Sequence, residues 1–159
     1  MNHFCKNLFY NFFRCGITGW CMEICFTALG ALPGKNRELT GHTSLWMFPI
    51  YGCAAFLAPV SRLLKRKSFG IRGLTYMSLI FGAEYLSGRL LKKHHCCPWD
   101  YSHSPFHIQG LIRLDYAPYW FCAGLFFEHL LNRQARLPRH YHSALQRQTS
   151  PKSLHTVMH

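Results

Sequence analysis

A chain of 159 residues with 49% apolar and 16% aromatic side chains carries ample material for burial, which excludes disorder as the default reading. Its charge is the anomaly: 18 Lys and Arg stand against 6 Asp and Glu, a formal +12, a balance found in nucleic-acid binders, at anionic membrane surfaces and in the basic loops of membrane proteins. The cations gather at the ends of apolar runs and not along one helix face, which argues against a nucleic-acid interface.

The first apolar run, from about Leu8 to Leu32, opens with the aromatic stretch LFYNFF and fades at Pro33 and Gly34, residues that end helices. Trp20 and Glu23 interrupt it, so a cleaved signal peptide, which needs a compact apolar centre, is rejected. After the short loop KNRELTGH comes residues 39 to 61, LTGHTSLWMFPIYGCAAFLAPVS, without a single Asp, Glu, Lys or Arg. A helix of about 20 apolar residues crosses a hydrocarbon core, and this stretch is the clearest candidate, bent at Pro49 and Gly52. Residues 64 to 72 form a tight basic turn. Gly73 to Leu91 make a third run, residues 92 to 110 a longer loop rich in Pro, His and aromatics, and Ile112 to Leu131 a fourth run. Beyond residue 132 the chain is polar and basic, without apolar periodicity, and reads as a disordered tail.

The fold expected from this pattern is an all-α integral membrane bundle of four transmembrane helices over residues 1–132, with residues 133–159 as a cytoplasmic tail. Twelve of the 18 cations, among them Arg14, Arg62, Lys65, Arg66, Lys67, Arg72 and Arg133, fall on one side of that topology. Positively charged loops stay cytoplasmic, so both termini are placed inside and the chain is assigned to the cell membrane as a multi-pass protein.

Acids inside such runs demand an explanation, because an ionisable residue at membrane depth costs about 2.5 to 3.5 kcal/mol on insertion scales. Glu23 and Glu84 are both expected about two thirds of the way across, with Tyr51 level with them and Asp115 about one helical turn further out. Gly16, Trp20, Glu23, Thr27 and Gly30 share one helical face, as do Gly73, Met77, Ile80, Glu84 and Gly88, so both acids are expected to point inward. Two carboxylates at one level cannot both ionise cheaply, and the group is expected either to bind a proton or cation or to act as hydrogen-bonded glue between helices. Trp99 and Asp100 would roof this site.

His94, His95, Cys96 and Cys97, with Asp100, His103 and His107, are donors that zinc or copper accepts, yet their spacing matches no ligand pattern, and no metal or cofactor is assigned. Cys15, Cys21, Cys25, Cys53 and Cys122 are expected as small packing residues within the runs. The chain has no G-x-x-x-x-G-K-[ST] phosphate loop, no Gly-flanked Ser nucleophile and no H-E-x-x-H, so no enzymatic activity is expected.

Several motifs then carry a resemblance. Gly19-Trp20 with Glu23, Gly41-His42-Thr43-Ser44-Leu45-Trp46, Pro49-Ile50-Tyr51-Gly52, Glu84-Tyr85 with Gly88, Cys97-Pro98-Trp99-Asp100-Tyr101-Ser102, and Gly110-Leu111-Ile112 leading to Asp115-Tyr116-Ala117 resemble the ABC-transporter permease (type IV) family of bacteria. They also resemble the related vertebrate transmembrane protein 229 family. The resemblance runs from about residue 12 to residue 131. It implies a small polytopic membrane protein with a transport role, a separate ATPase subunit and, because four spans are few for a pathway, a homo-oligomer. The alternative is a structural or assembly partner for another membrane protein. In either case the lipid bilayer is an expected partner.

Overall fold

The computed structural model describes residues 3–30 and 38–135. Helix α1, His3–Gly30, is followed by α2, Met47–Gly52, a 3-10 turn at Cys53–Phe56, and α3, Leu57–Leu63. Helix α4 spans Phe69–Lys93, a two-residue hairpin pairs β1, His107–Ile108, with β2, Ile112–Arg113, and α5 closes the chain over Ala117–Ala135. Helix α1 packs mainly against α2, and α4 against α5, while α3 leans on α5 and joins the two pairs. Cys15, Leu57, Tyr76, Phe127 and Leu131 meet at the centre, with Met22, Tyr51 and Leu130 packed around them.

The expected bundle of four transmembrane helices is not what forms: among the described residues, no helix is long and apolar enough to cross a membrane. The placing of both termini in the cytoplasm and the multi-pass assignment rested on those four spans and fall with them. The charge-free stretch 39–61 fails through its backbone. It stays irregular until Ser44, and the helical track that follows is broken. Pro59 has no N–H for the carbonyl four residues back, so the ladder tightens into the 3-10 turn and restarts as α3, with Pro59 in its first turn where a missing donor does no harm.

The long helices fail through composition. Helix α1 has 28 residues but includes Lys6, Arg14 and Glu23, and α4 has 25 but includes Arg72, Glu84, Arg89, Lys92 and Lys93. The fourth run begins late, because residues 112 to 116 are strand and 3-10 turn, and α5 starts only at Ala117 with Pro118 in its first turn. The helix runs on to Ala135, past the expected boundary at 132, and the rest of the expected tail lies outside the described residues.

Turn chemistry explains the segment between α4 and α5. His95, in the left-handed region at φ 55°, ends α4 in a Schellman turn: Cys96 N–H donates to Leu91 O (2.9 Å) and His95 N–H to Lys92 O (3.2 Å). The hairpin turns at Gln109 and Gly110, both at positive φ, with Leu111 N–H donating to Ile108 O (3.0 Å). Gly110 is required twice over, since a side chain there would also strike Ser102 Oγ at 2.4 Å.

Of the cysteines expected to pack, only Cys15 is buried, whereas Cys21, Cys25, Cys53 and Cys122 are exposed. Large apolar side chains also face outward on α1 (Phe9, Phe13, Ile17, Ile24) and α4 (Leu74, Leu86, Leu90). Patches of this kind mark surfaces that prefer another apolar phase to water.

Candidate functional site

The site begins with a face of α1 that lets the following chain come close. Gly16 receives Phe48, and at Gly19 a Cβ would fall 2.1 Å from Tyr51 Cγ, so any larger residue would push α2 away. Further along the same face Trp20 Nε1 donates to Ser44 O (2.9 Å), and Thr27 Oγ1 accepts from His42 N–H (2.9 Å). Held down in this way, Tyr51 donates its hydroxyl to Glu23 Oε2 at 2.5 Å.

Helix α4 contributes the second acid. Gly73 receives Phe121 of α5, and Gly124 of α5 receives Tyr76, so the two helices approach closely along one seam. Glu84 lies on that face and is 8% exposed. One turn further on, Gly88 receives the Trp99 indole, whose N–H donates to Leu111 O (3.0 Å) and folds the loop back over the helix. Tyr101 and Trp120 stand beside the Glu84 carboxyl. They do not saturate it, for Glu84 Oε2 and Trp120 Nε1 are both buried without a hydrogen-bond partner.

Burial pushes the Glu84 carboxyl up to about 7; the Trp120 N–H, close by but outside hydrogen-bond geometry, and the Tyr101 hydroxyl oppose this, and the charge of Glu23 adds to it. Burial also raises Glu23, against the lowering effect of its hydrogen bond from Tyr51. The Tyr51 and Tyr101 phenols are driven well above the ordinary range, first by burial and then by the nearby carboxylates, so both remain neutral donors. Burial thus raises both carboxyls, and the Tyr51 and Tyr101 phenols each feel the charge of both.

Of the residues expected to meet, Glu23 and Tyr51 are in direct contact, and Glu84 is near enough for its charge to act on Tyr51. Asp115 does not join them. It is exposed and paired with Arg113, whose Nε donates to Asp115 Oδ1 at 3.0 Å, and that cation holds the carboxyl below its usual range. Trp99 lies against α4 one turn from Glu84, while Asp100 faces solvent and caps a turn, accepting from Ser102 N–H (3.0 Å) and Ser102 Oγ (2.6 Å). Among the described residues, no group of three or more His, Cys, Asp or Glu could hold a metal ion, so the His94 to Cys97 donors do not converge.

Sequence reasoning missed Tyr101 and Trp120. Trp120 had a legible signal, since it precedes Gly124, Phe127 and Leu131 at helical spacing on the inward face of α5. Tyr101 had none, because a loop residue has no period to reveal where it folds. A second buried acid, Glu128 at 5% exposure, is satisfied by Arg72, whose Nη2 and Nε donate to Glu128 Oε2 at 2.7 and 3.1 Å.

A family model described as putative ABC-transporter type IV matches residues 10–152. The match reaches well past residue 131 and takes in most of the basic C-terminal segment. No solved structure matches the chain.

Proposed function

The chain belongs to the putative ABC-transporter type IV family, and from that premise we propose a transporter-related subunit in which Glu84 and Glu23, assisted by Tyr51, bind a proton or small cation. The observation that carries the reading is Glu84: a carboxyl almost wholly removed from water, with one oxygen unpartnered, and near enough to Glu23 to feel its charge. Such a group binds a proton near neutrality, or replaces it with a cation that satisfies the orphaned oxygen. Trp99 and the neighbouring Asp100 lie on the loop that would roof the site.

Family membership supports work at a membrane, and the outward apolar faces of α1 and α4 are consistent with that location. A transporter of this family calls for an ATPase, and since this chain has no phosphate-binding loop of its own, the ATPase would be a separate subunit. A homo-oligomer would supply further helices around the site. The kinship with vertebrate transmembrane protein 229 is part of the same proposal and rests on the shared motifs.

A second reading is favoured by one contact. The Tyr51 to Glu23 hydrogen bond ties α2 to α1, which is what interhelical glue in a structural or assembly partner would do. Proton release followed by the infrared carboxyl band separates the two readings. Under the transport reading, wild type loses a protonated carboxyl as pH rises through neutrality, Glu84→Gln lacks that transition while retaining its helical circular dichroism, and Glu23→Gln moves it to lower pH by removing a neighbouring charge. A folded Glu84→Gln protein with the transition unchanged would refute it.

A further inference from the structure

We propose that the cleft at the C-terminal end of α4 binds a phosphate ester, at a site distinct from the acidic pair. The cleft is an open surface depression of about 360 Å³, lined by the exposed Arg89, Lys92 and Lys93 of α4 and by Gln109 and Leu111 of the hairpin. Three cations border it and no carboxylate does. Arg89 stands three and four residues before Lys92 and Lys93, so all three project from neighbouring positions of one helix surface, where like charges repel.

The charge of Asp100 offsets that repulsion in part at Lys92, but Asp100 does not line the cleft. Lys92 Nζ donates to Gln109 O at 3.4 Å, and neither Arg89 nor Lys93 has a hydrogen bond or ion pair among the described residues. The bland explanation for lysines at a helix C-terminus is that they serve its unpaired carbonyls. Here the Schellman turn already gives the carbonyls of Leu91 and Lys92 backbone donors, so the Arg89 and Lys93 side chains are not needed by them.

The surroundings narrow the ligand. A guanidinium forks onto two oxygens of a phosphate, and the ammonium groups supply point charge beside it. Leu111 lines the cleft but is itself 3% exposed, so the apolar wall is completed by the methylene stems of Arg89 and Lys93, which favours a phosphate with a carbon substituent over the bare ion. The adjoining cleft of about 240 Å³ shares Lys92 but includes Asp100, whose negative charge confines an anion to the Arg89 and Lys93 side. The ester is either a soluble phosphate ester or a phospholipid headgroup.

Calorimetric titration of the full chain with glycerol phosphate, and flotation with phosphatidylcholine vesicles with and without phosphatidic acid, tests the site. The double variant Arg89→Gln/Lys93→Gln is expected to bind about tenfold more weakly, having lost two charge-assisted contacts. Lys65→Gln/Lys67→Gln removes the same charge from beyond the other end of α4, about 37 Å away along the helix, and is expected to bind as wild type. Binding of glycerol phosphate assigns a soluble ester, and binding to phosphatidic acid vesicles alone assigns a headgroup. Equal weakening in both double variants, an unchanged Arg89→Gln/Lys93→Gln protein, or no binding to either probe would overturn the proposal.

Discussion

Replacing Glu84 by Gln removes the group that makes stability depend on pH near neutrality. Its carboxyl moves from the ordinary 4.5 in the unfolded chain to about 7 in the folded protein, so between those values the folded state holds a proton that the unfolded state has lost. Stability from this group is therefore fully present below pH 4.5 and is lost as pH rises through 7. The difference corresponds to about 3 kcal/mol between pH 4 and pH 8, or roughly 6 to 12 °C in melting temperature for a chain of this size. Glu84→Gln keeps the shape and polarity of the neutral acid without its titration. Thermal unfolding followed by circular dichroism in matched buffers should show the wild-type midpoint falling steeply from pH 5 to pH 8, and the variant midpoint falling by only a residual amount owed to other groups. Parallel curves for the two proteins would refute the claim that Glu84 is buried with its carboxyl unsatisfied.

Four other outcomes follow from individual contacts. Gly19→Ala should lower stability by about 1 to 3 kcal/mol in denaturant titrations, because its methyl overlaps the Tyr51 ring and must push α2 outward. Tyr51→Phe removes the donor that holds Glu23 down, so the Glu23 carboxyl should titrate at still higher pH, read from its infrared band. Arg72→Met leaves Glu128 buried and unpaired. Breaking a fully buried pair costs about 3 to 5 kcal/mol, but the Arg72 side chain keeps 29% of its exposure, so about 1 to 3 kcal/mol is expected from equilibrium unfolding. Trp99→Phe should cost about 1 kcal/mol through the lost bond to Leu111 O and should increase hydrogen exchange in residues 97 to 111.

Local pattern in the chain was a good guide to faces and a poor one to paths. Of the α1 face of Gly16, Trp20, Glu23, Thr27 and Gly30, all but the exposed Gly30 lie along a packing seam, and the α4 face of Gly73, Met77, Ile80, Glu84 and Gly88 is buried or half-buried, because helical periodicity depends only on residues a few positions apart. Hydropathy misled where it ignored the backbone. The stretch 39–61 has the composition of a span, yet Pro59 and the irregular residues before α2 prevent a single helix. Asp115 was expected beside Glu23 and Glu84 on the assumption that a helix began at Ile112, and the strand and 3-10 turn that form instead carry it to the surface beside Arg113.

From the amino acids alone came the excess of positive charge, the two acids set on inward faces, and the glycines that mark close approach, all of which are properties of single residues or of one helical turn. Only the fold decided that Tyr51 reaches Glu23, that Tyr101 and Trp120 flank Glu84 without satisfying it, and that three cations converge on the hairpin. Those contacts join segments many residues apart, and where such segments meet depends on how each connecting turn aims the chain, which no short-range period records.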